Sequence, residues 1–256
     1  EAPRYCGFNK RKDMANHWLD KLKADRLEGR KRFSVLLDPD KTPKDIKLEH
    51  WIEEINASEC SDILIGGSFL SSGNASQLVS QVKKHTDLPV VIFPGSPDQI
   101  SEQADALLFL SLVSGRNPDL LIGRHVEAAP RLMAMDIETV ATAYLLVGDG
   151  PLTSAAYISQ TLPIPSSKPE LAVATVQAAV LLGMKAVYLD AGSGAGHPIP
   201  EKLIKAVRNA VDVPLIVGGG ITDFEGMELA WNAGADLVVL GTVLEKSLSF
   251  NALSPS

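Results

Sequence analysis

The segments AVYLDAGSGAG (Ala186–Gly196), PLIVGGG (Pro214–Gly220) and LVVLGT (Leu237–Thr242) follow one another near the C-terminus. Each is a short apolar run followed by glycines, which is typical of a buried parallel strand and the loop at its carboxyl end. Glycine lets backbone N–H groups approach an anion closely, so successive loops of this kind predict a phosphate site at the mouth of a parallel β/α barrel. The chain is therefore expected to bind a phosphorylated small molecule.

Five further apolar runs upstream complete a set of eight predicted strands, most of them without the polar alternation of a half-exposed strand. Helical stretches separate most of the runs, and eight such units imply closure, so the predicted fold class is α/β, a modified (β/α)₈ TIM barrel. The predicted strands are Phe33–Asp38, Ile63–Gly67, Pro89–Pro94, Ala106–Val113, Thr139–Gly148, Ala186–Asp190, Pro214–Gly218 and Leu237–Gly241.

Capping signals mark several of the predicted helices. The start signals are Thr42-Pro43 before Lys44–Ala57, the pair Ser167 and Glu170 at the start of Lys168–Leu182, and the pair Thr222 and Glu225 at the start of Asp223–Ala233. The end signals are Gly183 after Lys168–Leu182 and Gly234 after Asp223–Ala233. An amphipathic helix over Asp13–Glu28 is expected to precede the first strand as an extra element.

Two connections depart from a regular barrel. Only eleven residues, PGSPDQISEQA (Pro94–Ala104), separate the third strand from Asp105 and the fourth strand, so the third helix is expected to be missing or reduced. The insertion Asp149–Ser166 after the fifth strand is long for a βα loop, and such loops often act as lids. No internal linker is evident, which predicts a single domain over residues 1–256.

Composition narrows the class of protein. The chain has 256 residues, 45% apolar content and a net charge of −7, which argues against a broad nucleic-acid surface. Two cysteines, Cys6 and Cys60, are too few for a disulfide scaffold and lack zinc-binding spacing. No apolar run reaches the roughly 18 residues that span a bilayer, and the first residues lack a signal-peptide core. We therefore expect a cytoplasmic location.

Carboxylates and a hydroxyl end the first two predicted strands. Asp38 and Asp40 in LLDPDK suit a hard cation such as Mg²⁺, although a helix-capping D-P-D turn is an equally good interpretation. Ser68, in Gly66-Gly67-Ser68, is positioned to contact a metal or a phosphate, while the alternative is a helix N-cap.

Asp190 ends the sixth strand beside the first glycine loop, and Tyr188 points to the same side of that strand. The carboxylate suits recognition of a substrate hydroxyl or a role as a base, and the alternative is a cap and a core tyrosine. The basic residues that follow strand ends or lie in the loops there, and are candidates for contact with a diphosphate, are Lys41, Arg116, Arg124 and His125. Lys185 begins the sixth strand at the opposite face, which argues against a Schiff-base role.

Together these motifs resemble the geranylgeranylglyceryl phosphate synthases and the related bacterial prenylglyceryl phosphate synthases. The resemblance extends from about Arg32 to Leu248, with the motifs in the same order, and is carried by LLDPDK, IGGS, VIFPGS, LLFLSLVSGRNPDLLIGRHVEAAP, YLDAGSGAGHPIP and LIVGGGI. The family fold is a barrel that lacks the third helix, in agreement with the short third connection.

The resemblance implies a Mg²⁺-dependent transfer of a prenyl group from an allylic diphosphate to the 3-hydroxyl of sn-glycerol 1-phosphate. It assigns Mg²⁺ to Asp38 and Ser68, makes Asp38 and Asp190 the catalytic candidates, and implies a homo-oligomer, dimer or hexamer, with brief membrane contact by the amphiphilic product. The glycerol-phosphate residues that it implies are Tyr188, Leu189, Asp190, Ala191, Gly192, Ser193, Gly194, Gly218, Gly219, Gly220, Gly241 and Thr242.

One residue departs from the family pattern, and two rival functions stay open. The family usually has Glu at Asp190, which is one methylene shorter, so contact with the glycerol hydroxyls needs a shifted ligand or a bridging water. Another phosphate-binding barrel enzyme, a sugar-phosphate isomerase or FMN oxidoreductase, would share the last two glycine loops but has no need of LLDPDK with GGS. A non-catalytic phosphometabolite binder has no need of the two metal ligands.

Overall fold

The computed structural model describes residues 17–241, and its eight strands form a closed parallel barrel in sequence order. Every predicted strand is present, with ends that agree to within two residues, so the TIM-barrel prediction is confirmed. The strands are β1 (Arg32–Leu37), β2 (Asp62–Ile65), β3 (Val90–Ile92), β4 (Ala106–Leu112), β5 (Glu138–Leu146), β6 (Ala186–Asp190), β7 (Leu215–Gly218) and β8 (Leu237–Leu240).

Helices follow the strands around the barrel, with one exception. Between β3 and β4 the chain forms a single 3₁₀ turn, Pro97–Gln99, so the prediction of a reduced third helix is confirmed. The α-helices are α1 (Trp18–Leu27), α2 (Ile46–Ala57), α3 (Ala75–Val82), α4 (Arg124–Met133), α5 (Ser154–Ser159), α6 (Pro169–Leu181), α7 (Glu201–Ala210) and α8 (Phe224–Asn232). No helix among residues 17–241 is long and apolar enough to cross a membrane.

Three predicted helix caps are wrong, although each helix begins within two residues of its predicted start. The helix α2 begins at Ile46, and the Thr42 hydroxyl instead donates a hydrogen bond of 2.7 Å to the Asp38 carbonyl in the loop. Lys168 rather than Ser167 precedes α6, without a side-chain cap. The cap of α8 is Asp223, which accepts a hydrogen bond from the Gly226 N–H, in place of Thr222. The path of each loop, which capping-box spacing does not encode, decides which side chain reaches the free N–H groups.

The helix α1 closes the amino-terminal end of the barrel. Trp18 and Leu22 are buried among the apolar side chains that fill the barrel interior. The backbone N–H groups of Trp18 and Leu19 donate hydrogen bonds of 2.6 and 3.2 Å to the Glu138 carboxylate at the start of β5. The predicted N-terminal helix is therefore present from Trp18, while residues 13–16 of that prediction lie outside the described part of the chain. The opposite, carboxyl-terminal end of the barrel carries the loops that follow the strands, where the sites of this fold lie.

Candidate functional site

The glycine loops after β6 and β7 pack directly on each other. Gly219 has φ +82°, and a Cβ added there would lie 2.7 Å from the Gly192 N–H nitrogen and 2.8 Å from that of Ala191. Ser193 and Gly194 beside them are exposed. The N–H groups of Ala191 and Gly192 donate within the site, to the Gly218 carbonyl and to Asp190 Oδ1, so the backbone at Ser193 and Gly194 is the part of this loop left to meet an anion. Gly241 follows β8 on the same end, and Thr242 lies outside the described residues.

Tyr188 lies inside the barrel beneath these loops. It is buried, its ring stacks on Phe93 with centroids 4.9 Å apart, and a Cβ added at Gly218 would lie 2.5 Å from its hydroxyl oxygen. Burial and the nearby Asp190 carboxylate raise the pKa of Tyr188 well above its usual value of 10.0, so the phenol keeps its proton. The neighbouring Leu189 points the other way, into the layer between strands and helices, which leaves only its backbone on the site side.

Asp190 is 7% exposed and holds two hydrogen bonds within the protein. Its Oδ2 accepts from the Tyr144 hydroxyl at 2.6 Å, and its Oδ1 accepts from the Gly192 N–H at 2.7 Å. Burial raises the pKa of Asp190, and both hydrogen bonds oppose that effect. Since the next helix, α7, begins only at Glu201, the carboxylate is not a helix cap. It lies where the interior of the barrel meets the glycine loops, next to any anion bound there.

Asp38 follows β1 at the mouth and lies beside the loop after β2. Its Oδ1 accepts a hydrogen bond of 2.9 Å from the Asp40 N–H, and its Oδ2 is 3.5 Å from the Lys41 ammonium. A Cβ added at Gly67, the residue before Ser68, would lie 3.4 Å from Asp38 Oδ1. The structure thus brings Asp38 close to the segment that carries Ser68.

A metal ion at this point would take few protein ligands. Residues 17–241 contain no group of three or more His, Cys, Asp or Glu side chains that could hold one. Mg²⁺ commonly binds through one or two protein carboxylates and completes its shell with water and substrate phosphate oxygens. One carboxylate, Asp38, at 20% exposure, with a hydroxyl in the adjacent loop, fits that habit.

Asp40 has a structural role rather than a ligand role. Its carboxylate accepts hydrogen bonds from the backbone N–H groups of Ser71, Ser72 and Gly73, which hold its pKa far below the usual value. The helix-capping alternative is wrong for this residue, because these N–H groups lie in the loop before α3, whose own cap is Asn74. The contacts tie the loop after β1 to the loop before α3 and so support Asp38 from behind.

Gln99 is a structural residue that the sequence pattern does not reveal. Its side chain is 2% exposed, donates a hydrogen bond of 2.9 Å to the Gly67 carbonyl and accepts one of 3.1 Å from the Gly95 N–H. It thereby joins the loops after β2 and β3 in the space left by the reduced third helix. The burial of Gln99 is a property of the fold, so no signal in the sequence could have indicated this contact.

An apolar groove of about 470 Å³ opens from the barrel mouth beside β3 and β4. It runs past the short 3₁₀ turn and α4, in the position that a third helix would cover in a regular barrel. Its apolar lining includes Phe69, Leu70, Phe93, Ile100, Leu107, Phe109, Leu112, Leu120, Ala128, Leu132, Tyr144 and Ile158. Ser68, at the rim, connects the groove to the Asp38 region, so a chain-like apolar group can lie here with its polar end at the mouth.

The basic residues near strand ends differ in their surroundings. His125 is buried, its Nε2 lies 3.1 Å from the Ser111 hydroxyl, and burial lowers its pKa, so it is neutral and does not meet an anion as a cation. Arg116 donates to the carbonyls of Val113 and Gly115. Arg124 lines the groove while pairing with Glu127, and Lys41 lies beside Asp38. Of these four residues, Lys41 and Arg124 therefore remain the candidates for contact with a diphosphate.

The insertion after β5 lies between the groove and the glycine loops. Its helix α5 begins after Thr153, whose side chain caps it and would lie 2.6 Å from a Cβ added at Gly192. Ala155 and Ile158 on α5 line the groove. Ile164 closes the insertion by a parallel bridge to Val147. A predicted lid segment thus contacts both halves of the candidate site.

Comparison with known proteins agrees with this arrangement. The family profile described as PcrB family matches residues 26–253. The chain is 48% identical over 225 residues to the geranylgeranylglyceryl phosphate synthase of Flavobacterium johnsoniae. The aligned segment covers 88% of this chain and 92% of the relative. It is 40% identical over 226 residues to that of Pyrococcus furiosus, with 87% and 88% covered.

Among solved structures, the chain is similar to (S)-3-O-geranylgeranylglyceryl phosphate synthase from Thermoplasma acidophilum in complex with its substrate sn-glycerol-1-phosphate. The TM-score is 0.84 at 33% identity, with 93% of this chain and 95% of the other covered. An N-acetylmannosamine-6-phosphate 2-epimerase from Clostridium perfringens, at 13% identity and a TM-score of 0.56, shares the fold alone.

Proposed function

Since the chain belongs to the PcrB family, we propose that it joins the prenyl group of geranylgeranyl diphosphate to sn-glycerol 1-phosphate and releases diphosphate. It is a prenyltransferase, as are its relatives along most of its length. The observation that carries the substrate assignment is the division of the mouth into two parts. Glycine loops and Asp190 lie on one side, and an apolar groove opens on the other.

The acceptor binds through its phosphate and its hydroxyls in this proposal. The backbone N–H groups of Ser193 and Gly194 in one loop and of Gly219 and Gly220 in the other serve as donors for the phosphate, and the Asp190 carboxylate accepts hydrogen bonds from the glycerol hydroxyls. The relative from T. acidophilum, which binds sn-glycerol-1-phosphate, supports this acceptor. Binding at the loops orients the 3-hydroxyl toward the groove, which turns a bimolecular encounter into a unimolecular step.

The donor binds with its prenyl chain in the groove and its diphosphate toward Asp38. The reaction forms a bond between the acceptor oxygen and the allylic carbon, breaks the bond from that carbon to the diphosphate oxygen, and releases the hydroxyl proton. Asp38 and Ser68 would hold Mg²⁺, which neutralises the charge of the leaving diphosphate. Lys41 lies 3.5 Å from Asp38 and adds positive charge at the same point. The apolar groove excludes water, which would otherwise compete for the allylic carbon.

Replacement of Asp38 tests the metal site and the reaction together. Purified protein is incubated with Mg²⁺, sn-glycerol 1-phosphate and prenyl diphosphates of graded length, and the products are identified by mass spectrometry. We expect Asp38→Asn to lower turnover about 100-fold or more, because the leaving group loses its charge neutralisation. Asp212→Asn, a matched change at an exposed aspartate on the opposite end of the barrel, should leave turnover unchanged.

Distinct outcomes identify the rivals. Near-wild-type turnover of Asp38→Asn at saturating Mg²⁺ would contradict the metal assignment. A yellow protein with a flavin absorption band would indicate an FMN enzyme. Acceptor binding by calorimetry without any product would indicate a binder. The preferred chain length is read from the same experiment, as the diphosphate with the highest kcat/KM.

We also propose a cytoplasmic homo-oligomer, a dimer or hexamer with closed symmetry. A stable species of 27.3 kDa by light scattering at micromolar concentration would contradict this. The location is tested by expressing the protein without an added secretion signal and asking whether it is recovered in the soluble fraction of the cells.

Brief membrane contact is proposed from the apolar rim, defined as Phe69, Leu152, Tyr157 and Leu162, all more than half exposed on α5 and on loops that follow strands. The groove opens beside Phe69, so the apolar chain of a lipid product can leave the groove at an exposed apolar surface. Vesicle flotation should be weakened by Leu162→Asp, while Leu181→Asp, an equally exposed leucine at the far end of α6, should float as the wild type does. Equal flotation of both variants would contradict the proposal.

A further inference from the structure

Tyr144 lies at the junction of the two halves of the site. It belongs to β5, between the strand that borders the groove and the strand that ends in Asp190. Its ring lines the groove and packs edge-on against Phe93 and Tyr188, with centroids 5.6 Å apart in both pairs. Its hydroxyl donates a hydrogen bond of 2.6 Å to Asp190 Oδ2. One side chain thus contacts the groove and the acceptor carboxylate.

The direction of this hydrogen bond is defined. Burial and the charge of Asp190 raise the pKa of Tyr144 well above its usual value, so the phenol is a donor at every working pH. Gly192 N–H occupies Asp190 Oδ1 in the same way. Each carboxylate oxygen accepts about two hydrogen bonds, so each has one lone pair left. The two internal donors therefore determine where the remaining lone pairs point.

The same contact opposes the effect of burial on the charge of Asp190. Burial raises the pKa of this carboxyl, and the hydrogen bond from Tyr144 is the larger of the two effects that lower it. An ionised carboxylate accepts stronger hydrogen bonds from hydroxyls than the neutral acid does. Only the ionised form can take up a proton as a base.

We propose that Tyr144 is a positioning residue for the acceptor, which it serves by fixing the Asp190 carboxylate toward the hydroxyls of the bound glycerol phosphate. The proposal rests on the proposed function and deepens it. Tyr144 acts through Asp190, while its ring separates the acceptor from the apolar groove. A tyrosine that only fills the interior beside Phe93 and Tyr188 is the alternative, and phenylalanine would replace such a residue without consequence.

The test is Tyr144→Phe, which keeps the ring and removes the donor. We expect the acid limb of kcat/KM for sn-glycerol 1-phosphate to move up by about one pH unit, because the carboxylate loses a donor that favours its charged form. The KM for the acceptor should rise about tenfold. The KM for the prenyl diphosphate should stay within about twofold, since the groove keeps its wall. An unchanged acid limb together with an unchanged acceptor KM would overturn the proposal.

The variant Asp190→Asn supplies the matched background. Adding Tyr144→Phe to Asp190→Asn should change the acceptor KM little, because the carboxylate through which the tyrosine acts is gone. An effect as large as in the wild-type background would show that Tyr144 acts on its own and would overturn the proposal.

Infrared titration separates this proposal from the proposed function. The carboxyl band that disappears in Asp190→Asn should titrate at higher pH in Tyr144→Phe than in the wild type, with no substrate present. Wild-type protein that forms no prenylglyceryl phosphate would contradict the proposed function, whatever the band does. An active wild type whose Asp190 band does not move in Tyr144→Phe would contradict the positioning role.

Discussion

Replacement of Gly219 by alanine tests the contact between the two glycine loops. Gly219 has φ +82°, and an added Cβ would lie 2.7 Å from both Asp190 Oδ1 and the Gly192 nitrogen. These distances are well below the roughly 3.5 Å of an ordinary contact. Gly29 is the matched control, because it has φ +69° with no atom within 4 Å of an added Cβ. It precedes β1, at the closed end of the barrel away from the site.

The two variants share the backbone cost and differ in crowding. A left-handed backbone costs an alanine about 1–2 kcal/mol, and the reduced freedom of the unfolded chain offsets about 0.4–1 kcal/mol. Gly29→Ala should therefore lower the free energy of unfolding by about 1 kcal/mol. Crowding of the fixed loop adds about 1–3 kcal/mol to Gly219→Ala, for a total of about 3 kcal/mol.

Urea denaturation of both variants and the wild type measures these differences, and calorimetry with sn-glycerol 1-phosphate measures acceptor binding. Gly219→Ala should weaken that binding at least about tenfold, because the Cβ displaces the Asp190 carboxylate and the N–H groups beside it. Gly29→Ala should bind as the wild type does. Equal unfolding free energies for the two variants, or wild-type affinity in Gly219→Ala, would refute the packing argument.

Two further predictions concern the loops that support Asp38. Gln99→Leu should lower the free energy of unfolding by about 1–2 kcal/mol, because it removes the hydrogen bonds to the half-buried Gly67 carbonyl and to the Gly95 N–H, whereas Gln103→Leu, at an exposed glutamine in the same connection, should change it by less than about 0.5 kcal/mol in the same urea assay. Asp40 has a lowered pKa in the folded protein, so its contribution to stability is present at neutral pH and is lost as the pH falls below about 4 toward the folded value. Thermal unfolding between about pH 6 and pH 3 should show a shallower acid loss for Asp40→Asn than for the wild type, and identical slopes would count against the role assigned to its loop contacts.

The barrel itself was predictable from local patterns. Buried parallel strands are continuous apolar runs, glycines follow them at the mouth, and the third connection is too short for a full helix; each of these signals lies within a few consecutive residues. The capping residues of α2, α6 and α8 were not predictable in the same way. The signals at Thr42, Ser167 and Thr222 have the right composition, but the path of each loop places Thr42 on the Asp38 carbonyl and selects Asp223 as a cap instead.

The candidate site likewise has residues that the sequence indicated and contacts that only the fold creates. Strand ends and glycine clusters indicated Asp38, Asp190 and the phosphate loops, because in a parallel barrel everything that follows a strand meets at one end. Tyr144 and Asp190 are 46 residues apart, and Gln99 and Gly67 are 32 apart. No sequence pattern around any of these four residues predicts such a contact. The sequence alone determines the features that recur with the strands or directly follow a strand end. Strand register and barrel closure then bring side chains that are distant in sequence within hydrogen-bond distance. The contact between Tyr144 and the Asp190 carboxylate is therefore a property of the folded barrel.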